Sequence, residues 1–279
     1  MQDVIQLSKK SFTIVYKTYK ADVEWLKYAL MSLQKYLNNS NVSEILIYSH
    51  DDAISEVISL AQSLELDKYV NYRISPVAYN FHGYIKQMTV KCNSFRDCSS
   101  DYLVILDCDT ILNAPLNLEN LLDPTTGKIR WFFMSKEDDP DSAVWSVWKK
   151  AFEDTTLIPQ DKHYMANGFP FVLSKTSMVD AESHFVSLHG CSYDTFCLDR
   201  CSKLGISVDE KIRDAFSRLA SVFEEFEYLG YFCERFSDDY IFAKMTDRTE
   251  PHFFVQNWSH GGLTEDIKTE LHKILQIRG

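Results

Sequence analysis

Two periodicities share the first half of the sequence. Phe12–Tyr16 (FTIVY) is a short β-branched and aromatic run that reads as a buried strand. Beyond it Leu26, Ala29, Leu30, Leu33, Tyr36 and Leu37 recur at helical spacing, with Asp22 placed as the N-cap. Glu44–Tyr48 (EILIY) predicts a second strand, then a helix passes through Ile54, Val57, Ile58 and Ala61. Tyr69–Ile74 (YVNYRI) predicts a third strand, and a helix over Gly83–Cys98 leads to Tyr102–Leu106 (YLVIL), the most apolar strand of all. Alternation of this kind predicts an α/β chain with a mostly parallel, Rossmann-like central sheet, right-handed crossovers and helices on both faces. Ligands of such sheets bind beyond the carboxyl ends of the strands. After the fourth strand comes Asp107-Cys108-Asp109.

The second half is less regular. Ile129–Met134 (IRWFFM) and Phe169–Leu173 (FPFVL) read as strands, Lys136–Asp141 as an exposed turn, and Asp199 to Glu234 as helical. His252–Gln256 (HFFVQ) predicts a late strand. The segment Trp258-Ser259-His260-Gly261-Gly262 follows as a tight loop before a final amphipathic helix. No Pro/Gly/Ser-rich linker and no repeat interrupts the sequence, so residues 1–279 read as one domain with an elaborated second half.

Composition narrows the function classes. The 279 residues are 45% hydrophobic and 25% charged, which excludes disordered and fibrous classes. Lys+Arg 29 against Asp+Glu 40 leaves a net charge of −11, unsuited to a nucleic-acid partner, which needs a basic stripe. A nucleotide ligand stays compatible, because a bound metal supplies positive charge locally. The apolar stretches fall far short of the ~20 residues of a membrane-spanning helix. Met1–Lys10 has no apolar core of the signal-peptide kind. Seven cysteines, an odd number without CxxC or zinc-finger spacing, read as reduced thiols of a cytoplasmic protein. No GxxxxGK[ST] or GxGxxG string occurs among the nine glycines, so P-loop and dinucleotide-binding readings fail.

Asp107 and Asp109 stand two apart at the end of a buried strand, where an extended chain points both to one side. Two carboxylates there repel each other unless a cation lies between them. Mg²⁺ and Mn²⁺ are hard ions that take oxygen ligands and share them with substrate phosphates. The bland alternative is a strand ending in two solvated acids.

The segment DYLVILDCDTIL resembles the metal-binding Asp-x-Asp segment of GT-A glycosyltransferases. GYIKQMTVKCNSF (Gly83 to Phe95) resembles the Gly-x-x-x-Gln-x-x-x-Lys helix of a bacterial and viral group, the DUF6492 glycosyltransferase-like family. FEEFEYLGYFCERF is similar to its Ser-Glu-Phe-x-x-Leu-Gly segment, and VQNWSHGGL to its Gln-x-Trp-Ser-x-Gly-Gly segment. The match runs through most of the chain in the right order. It implies a GT-A fold with a nucleotide-binding half over residues 1–115 and an acceptor-side half over 116–279. It also implies a nucleotide-sugar donor, expected to be a UDP-sugar, a Mn²⁺ or Mg²⁺ ion, and inverting transfer to a glycan hydroxyl.

By position, Asp109 is then the direct metal ligand, and Asp107 contacts metal or donor ribose, with Cys108 between them on the donor side. Gln87 and Lys91, at i and i+4 on one helical face, reach toward donor sugar or phosphate oxygens, although Lys91 alone also reads as a surface lysine. Tyr16, Lys17, Thr18 and Tyr19 follow the first strand, where this fold holds base and ribose, and Tyr16, Thr18 and Tyr19 are the donor-side candidates among them; Tyr16 reads equally as core. Glu225 is the candidate base, for removing a proton from a sugar hydroxyl during attack is worth ~10² to 10⁴-fold. A carboxylate enclosed by aromatic side chains is a better base than a solvated one. The family has Ser where this chain has Glu224, which sets an extra negative charge beside the base, and Asp194 and Glu227 stand next in line for that role. His260 is a candidate third metal ligand, packing being the equal alternative, and Trp258 a core or lid aromatic. Asn167 and Gly168 are acceptor-side candidates. Asp194 is grouped with them but reads most simply as an N-cap. His82, His163 and His252 have no distinguishing spacing.

A second reading makes VILDCDTIL the nucleophile strand of a haloacid-dehalogenase-type phosphohydrolase, with Asp107 as nucleophile, Asp109 as acid/base and Ser237-Asp238-Asp239 as its later acidic motif. Against it, three strand-helix units precede the pair, and Ile111 stands where Thr or Val belongs. A third reading, a non-catalytic sugar- or nucleotide-binding module, conflicts with the presence of all the candidate site residues.

Overall fold

Phe12–Lys17 forms strand β1, and all six of its residues are buried, as a parallel strand covered on both faces requires. The computed structural model describes residues 10–37, 41–66, 68, 70–74, 82–138, 146, 148–248, 253–257 and 262–276. The further strands are β2 (Val42–Ser49), β3 (Val70–Ile74), β4 (Tyr102–Asp107), β5 (Thr110–Leu112), β6 (Ile129–Ser135), β7 (Lys162–His163), β8 (Phe171–Ser174), β9 (Tyr240–Lys244) and β10 (Phe254–Gln256). The helices are α1 (Val23–Tyr36), α2 (Ile54–Ser63), α3 (Gly83–Asn93), α4 (Lys149–Thr156), α5 (Lys175–His189), α6 (Tyr193–Lys203), α7 (Ile212–Leu219), α8 (Glu225–Phe236) and α9 (Glu265–Leu275).

The central sheet has the order β3-β2-β1-β4-β8; its first four strands run parallel and β8 runs antiparallel to β4. The mostly parallel sheet expected from the alternation is present, and a strand from the second half of the sequence completes it. Helix α1 buries Leu26, Ala29, Leu30 and Leu33 of the stripe the periodicity placed there, together with Trp25. Each such leucine contributes about 1.5–3 kcal/mol by leaving water. Two smaller sheets, β7-β6-β9 and β10-β5, extend the fold beyond β4. Their strands β6 and β10 coincide with runs read from the sequence, but the pairings join distant segments and no local period announces those. Helices α4 and α5 are likewise absent from the sequence reading. Among the described residues no helix is long and apolar enough to cross a membrane. All seven cysteines are free thiols.

At the amino ends of the parallel strands lies a buried carboxylate, Glu44 of β2. It accepts hydrogen bonds from Ser99 N (2.6 Å), Ser99 Oγ (2.7 Å), Thr13 Oγ1 (3.0 Å) and Asn71 Nδ2 (2.5 Å). Burial works against the charge, but the Ser99, Asn71 and Thr13 bonds outweigh it and hold this carboxyl below its usual range.

Candidate active site

The opposite ends of the same strands open into a cavity of about 400 Å³. Lys17, last residue of β1, is paired in register with Asp107, last residue of β4, and both line it. Asp107 ends the strand while Cys108 and Asp109 make the turn into β5. The two acids therefore reach the cavity across a tight turn and not along an extended chain. Asn257, just past β10, donates its backbone N–H to Asp109 O (2.9 Å), and the β5–β10 ladder holds that turn in place.

Lys91 is not a surface lysine. Its side chain is 3% exposed, and Nζ lies 2.7 Å from Asp107 Oδ1 and 3.1 Å from Glu225 Oε1. The ammonium also stands 5.4 Å and 5.3 Å from the ring centroids of Phe169 and Phe226. Burial pulls this amine down, but Asp107 and Glu225 overcome that and hold it above its usual range. A buried lysine needs partners of this kind, because an unpaired charge away from water is strongly destabilising. The i and i+4 spacing from Gln87 does put both residues on the cavity wall. The structure spends Lys91 on protein carboxylates, whereas the sequence directed it to donor oxygens.

Three buried acids crowd the start of α8. Glu227 is held by Gln160 Nε2 (3.1 Å), Tyr164 N (3.2 Å), Met165 N (3.1 Å) and His163 Nδ1. It fastens the 160–165 segment to the helix, which removes it from the list of bases. Glu225 is on the cavity wall with Oε1 on Lys91 and, among the described residues, Oε2 buried without a hydrogen-bond partner. Glu224 is the N-cap, its carboxyl accepting from Glu227 N (2.6 Å). Burial first, then Glu225 and Glu227, push the Glu224 carboxyl well above its usual range, which works against the extra negative charge expected there.

The other candidates divide. Tyr19, Gln87, Cys108, Asp109 and Gly168 line the cavity. Tyr19 donates its hydroxyl to Gly83 O and carries Lys17 Nζ 3.9 Å above its ring. Cys108 donates Sγ–H to Lys17 O (3.0 Å). Tyr16 does not reach the cavity: it is fully buried in the middle of the sheet, a core residue. Thr18 is also fully buried and donates its hydroxyl to Tyr19 O (3.2 Å). Asn167 is a strap, its Oδ1 accepting from Phe132 N (3.0 Å) and Nδ2 donating to Gly168 O (2.8 Å). Asp194 lies in the first turn of α6, hydrogen-bonded to Thr89; Ser192, not Asp194, is the N-cap. His260, Trp258 and His252 fall outside the described residues.

Lys17, named with its neighbours after the first strand, is on the cavity wall, while sequence reasoning missed Trp148, His163 and Phe216 there. Burial, with Lys86 adding to it, pulls Lys17 down to about 7. Trp148 stacks on His163 with centroids 5.6 Å apart and planes 10° from parallel. His82 caps α3, its Nδ1 accepting from Tyr84 N (3.1 Å) and its Nε2–H reaching Glu210 O (2.7 Å). Lys17 was legible because it ends a strand at the ligand edge; Trp148, His163 and Phe216 carried no such signal. Ser237 and Asp239 bond Ser177 of α5 instead of entering the cavity, so no later acidic motif joins the Asp107–Asp109 rim.

The profile of a family described as a family of unknown function (DUF6492) matches residues 5–256. No curated protein matches the sequence. Among solved structures, the galactosyltransferase LgtC in complex with donor and acceptor sugar analogues is similar with a TM-score of 0.55. The two are 9% identical, over 95% of this chain and 95% of that one. An active-site mutant of LgtC gives a TM-score of 0.49 at 10% identity, over 86% of this chain and 79% of that one. The glycosyltransferase GlyE of Streptococcus pneumoniae TIGR4 gives 0.43 at 13% identity, over 84% and 45%. The first likeness shows a shared fold, the GT-A architecture. None of these similarities supports the phosphohydrolase reading.

Proposed function

The chain belongs to the DUF6492 family, and we propose that it is a metal-dependent glycosyltransferase moving a sugar from a UDP-sugar to a glycan hydroxyl, with inversion. The observation that carries this reading is the bridge Asp107–Lys91–Glu225. One buried ammonium ties a carboxylate at the strand rim to a carboxylate on the cavity wall whose second oxygen, among the described residues, is buried without a hydrogen-bond partner. Glu225 Oε2 is the group that takes the acceptor proton during attack on the anomeric carbon, a contribution of ~10² to 10⁴-fold. Lys91 keeps that carboxylate oriented. A single base on one face of the donor sugar favours inversion.

Asp107 and Asp109 suit a hard divalent cation: both are oxygen donors on one cavity wall, and the Asp107 side chain is 27% exposed with only Oδ1 on Lys91. Among the described residues no third His, Cys, Asp or Glu joins them. Such ions are commonly held by one or two carboxylates with substrate phosphates completing the shell. When bound, Mn²⁺ or Mg²⁺ would supply positive charge against the departing diphosphate. Tyr19 and Gln87 line the wall on which donor nucleotide and sugar would lie, and Gly168 the acceptor side. Residues 1–115 are assigned as the nucleotide half and 116–279 as the acceptor half. The free state of all seven cysteines fits a cytoplasmic, reducing location.

Donor binding is tested by thermal shift with a panel of nucleotide sugars, with and without Mn²⁺, since ligand stabilises by mass action. Wild type should respond to one donor only with metal, and Asp109→Asn should lose the response. Glu225→Gln should keep donor binding and lose at least ~10²-fold in turnover. Wild-type turnover in either variant would remove the corresponding assignment, and the anomeric configuration of the product decides inversion.

A further inference from the structure

Glu224 is the acid that the proposed reaction leaves unused. It lines the cavity beside Glu225, yet it is only 3% exposed. One of its oxygens, Oε2, accepts the Glu227 N–H at 2.6 Å. Among the described residues nothing bonds Oε1 and no cation pairs with this carboxyl. The charged and titratable groups facing it are Glu225 and Glu227 on its own helix, and Lys91, Tyr84 and Cys92 on α3. The nearest cation, Lys91, is already shared between Asp107 and Glu225. Glu227 has four donors of its own, so Glu224 alone remains a buried carboxyl with a single hydrogen bond and two acidic neighbours. Neighbouring carboxyls in one dry site do not all ionise, and the one without a countercharge keeps its proton.

We propose that Glu224 is a neutral carboxylic acid that caps α8 through Oε2 and donates its O–H into the cavity, to an oxygen of the acceptor sugar beside the reacting hydroxyl. The direction in which burial and its acidic neighbours push this carboxyl agrees with that state. The assignment of the recipient rests on the glycosyltransferase reading; the protonation does not. Glu224 and Glu225 then divide the work of a site with two carboxyls, one donating a hydrogen bond and the other accepting a proton.

Two measurements test it separately. The infrared spectrum of the wild type at neutral pH should contain a carboxylic-acid carbonyl band that is missing from Glu224→Gln. If the two spectra coincide in that region, the neutral acid is disproved. The second measurement is transfer to simple methyl pyranosides. Glu224→Ser retains an N-cap oxygen but cannot reach the cavity, so it should raise the acceptor KM about 3- to 10-fold with a smaller change in kcat. Glu224→Gln, which keeps a donor of the same reach, should recover most of that loss. An unchanged KM in Glu224→Ser would reduce Glu224 to a helix cap, and failure of Gln to recover more than Ser would overturn the donor role. If the wild type transfers from no nucleotide sugar, the glycosyltransferase reading falls while the infrared band still decides the protonation.

Discussion

The two ends of the central sheet each bury a carboxylate, and they treat it oppositely. At the amino ends Glu44 receives four hydrogen bonds from neutral donors, three on Oε1 and one on Oε2, so both of its oxygens are bonded. At the carboxyl ends Glu225, on the cavity wall, meets one ammonium and among the described residues keeps Oε2 without a partner. A carboxylate fully satisfied by the protein serves the fold, whereas one left half-satisfied is poised for something that arrives later. The same contrast recurs within one helical turn, where Glu227 is saturated and Glu225, two residues earlier, is not. Parallel strands explain which end is which. Their carboxyl ends leave open the crevice where connecting loops separate, and the amino ends close over with short turns.

The largest effect should come from removing the cation on which the open end depends. Lys91→Met strips the ammonium that bridges Asp107 and Glu225 and leaves a buried acid without that countercharge. Breaking a buried pair from one side costs about 3–5 kcal/mol. The expected result is a fall of that size in urea-unfolding free energy, together with loss of turnover. A loss below about 1 kcal/mol would mean that these acids hold their places without the ammonium. The contrast between the two ends would then have lost its physical basis.

The sequence exposed the strand-end half of the site and hid the rest, for a physical reason. Asp107 and Asp109 follow the most apolar strand, and a parallel sheet dictates that its carboxyl edge faces ligand, so their place was legible from one segment. Tyr16 failed the same logic because β1 runs through the middle of the sheet and buries both faces. Lys91 and Glu225 were both singled out, but nothing local said that they touch, since the pair joins residues on α3 and α8. The anchoring role of Glu227 and the places of Trp148 and His163 were out of reach for the same reason: their partners come from other segments. The four-strand parallel core was readable from period alone, while β5–β10 and β6–β9 join residues more than a hundred positions apart.

A smaller effect should sharpen the view that the open end is held rigidly from behind. Helix α8 carries Gly230, and a Cβ there would overlap the Tyr164 side chain, with Cγ at 2.5 Å. The Tyr164 N–H is one of the donors to Glu227. Gly230→Ala must therefore push the 164–167 turn away from the helix, and overpacking of this kind costs about 1–3 kcal/mol. Turnover should drop together with stability, because the displaced turn runs into Gly168 on the cavity wall. An alanine variant as stable and active as the wild type would show that the turn is free to move and that Glu227 does not anchor it.

The smallest effect belongs to the closed end and is best read against pH. The folded protein holds Glu44 below its usual value of 4.5, so it binds its proton less readily than the unfolded chain does. Its contribution is then fully present above the unfolded value and is lost as pH falls through that value toward the folded one. Glu44→Gln keeps one acceptor oxygen but turns an N–H₂ donor toward the donors of Ser99, Thr13 or Asn71. That mismatch costs about 1–3 kcal/mol at neutral pH. Urea-unfolding free energies of wild type and variant, taken from neutral pH down to about pH 3, should converge as the wild type loses its carboxylate. Turnover at neutral pH should be unaffected wherever both proteins are folded, because Glu44 lies at the far edge of the sheet from the cavity. A gap that stays constant with pH would show that Glu44 is not held as a carboxylate by those four bonds, and a loss of turnover would show that the two ends are coupled.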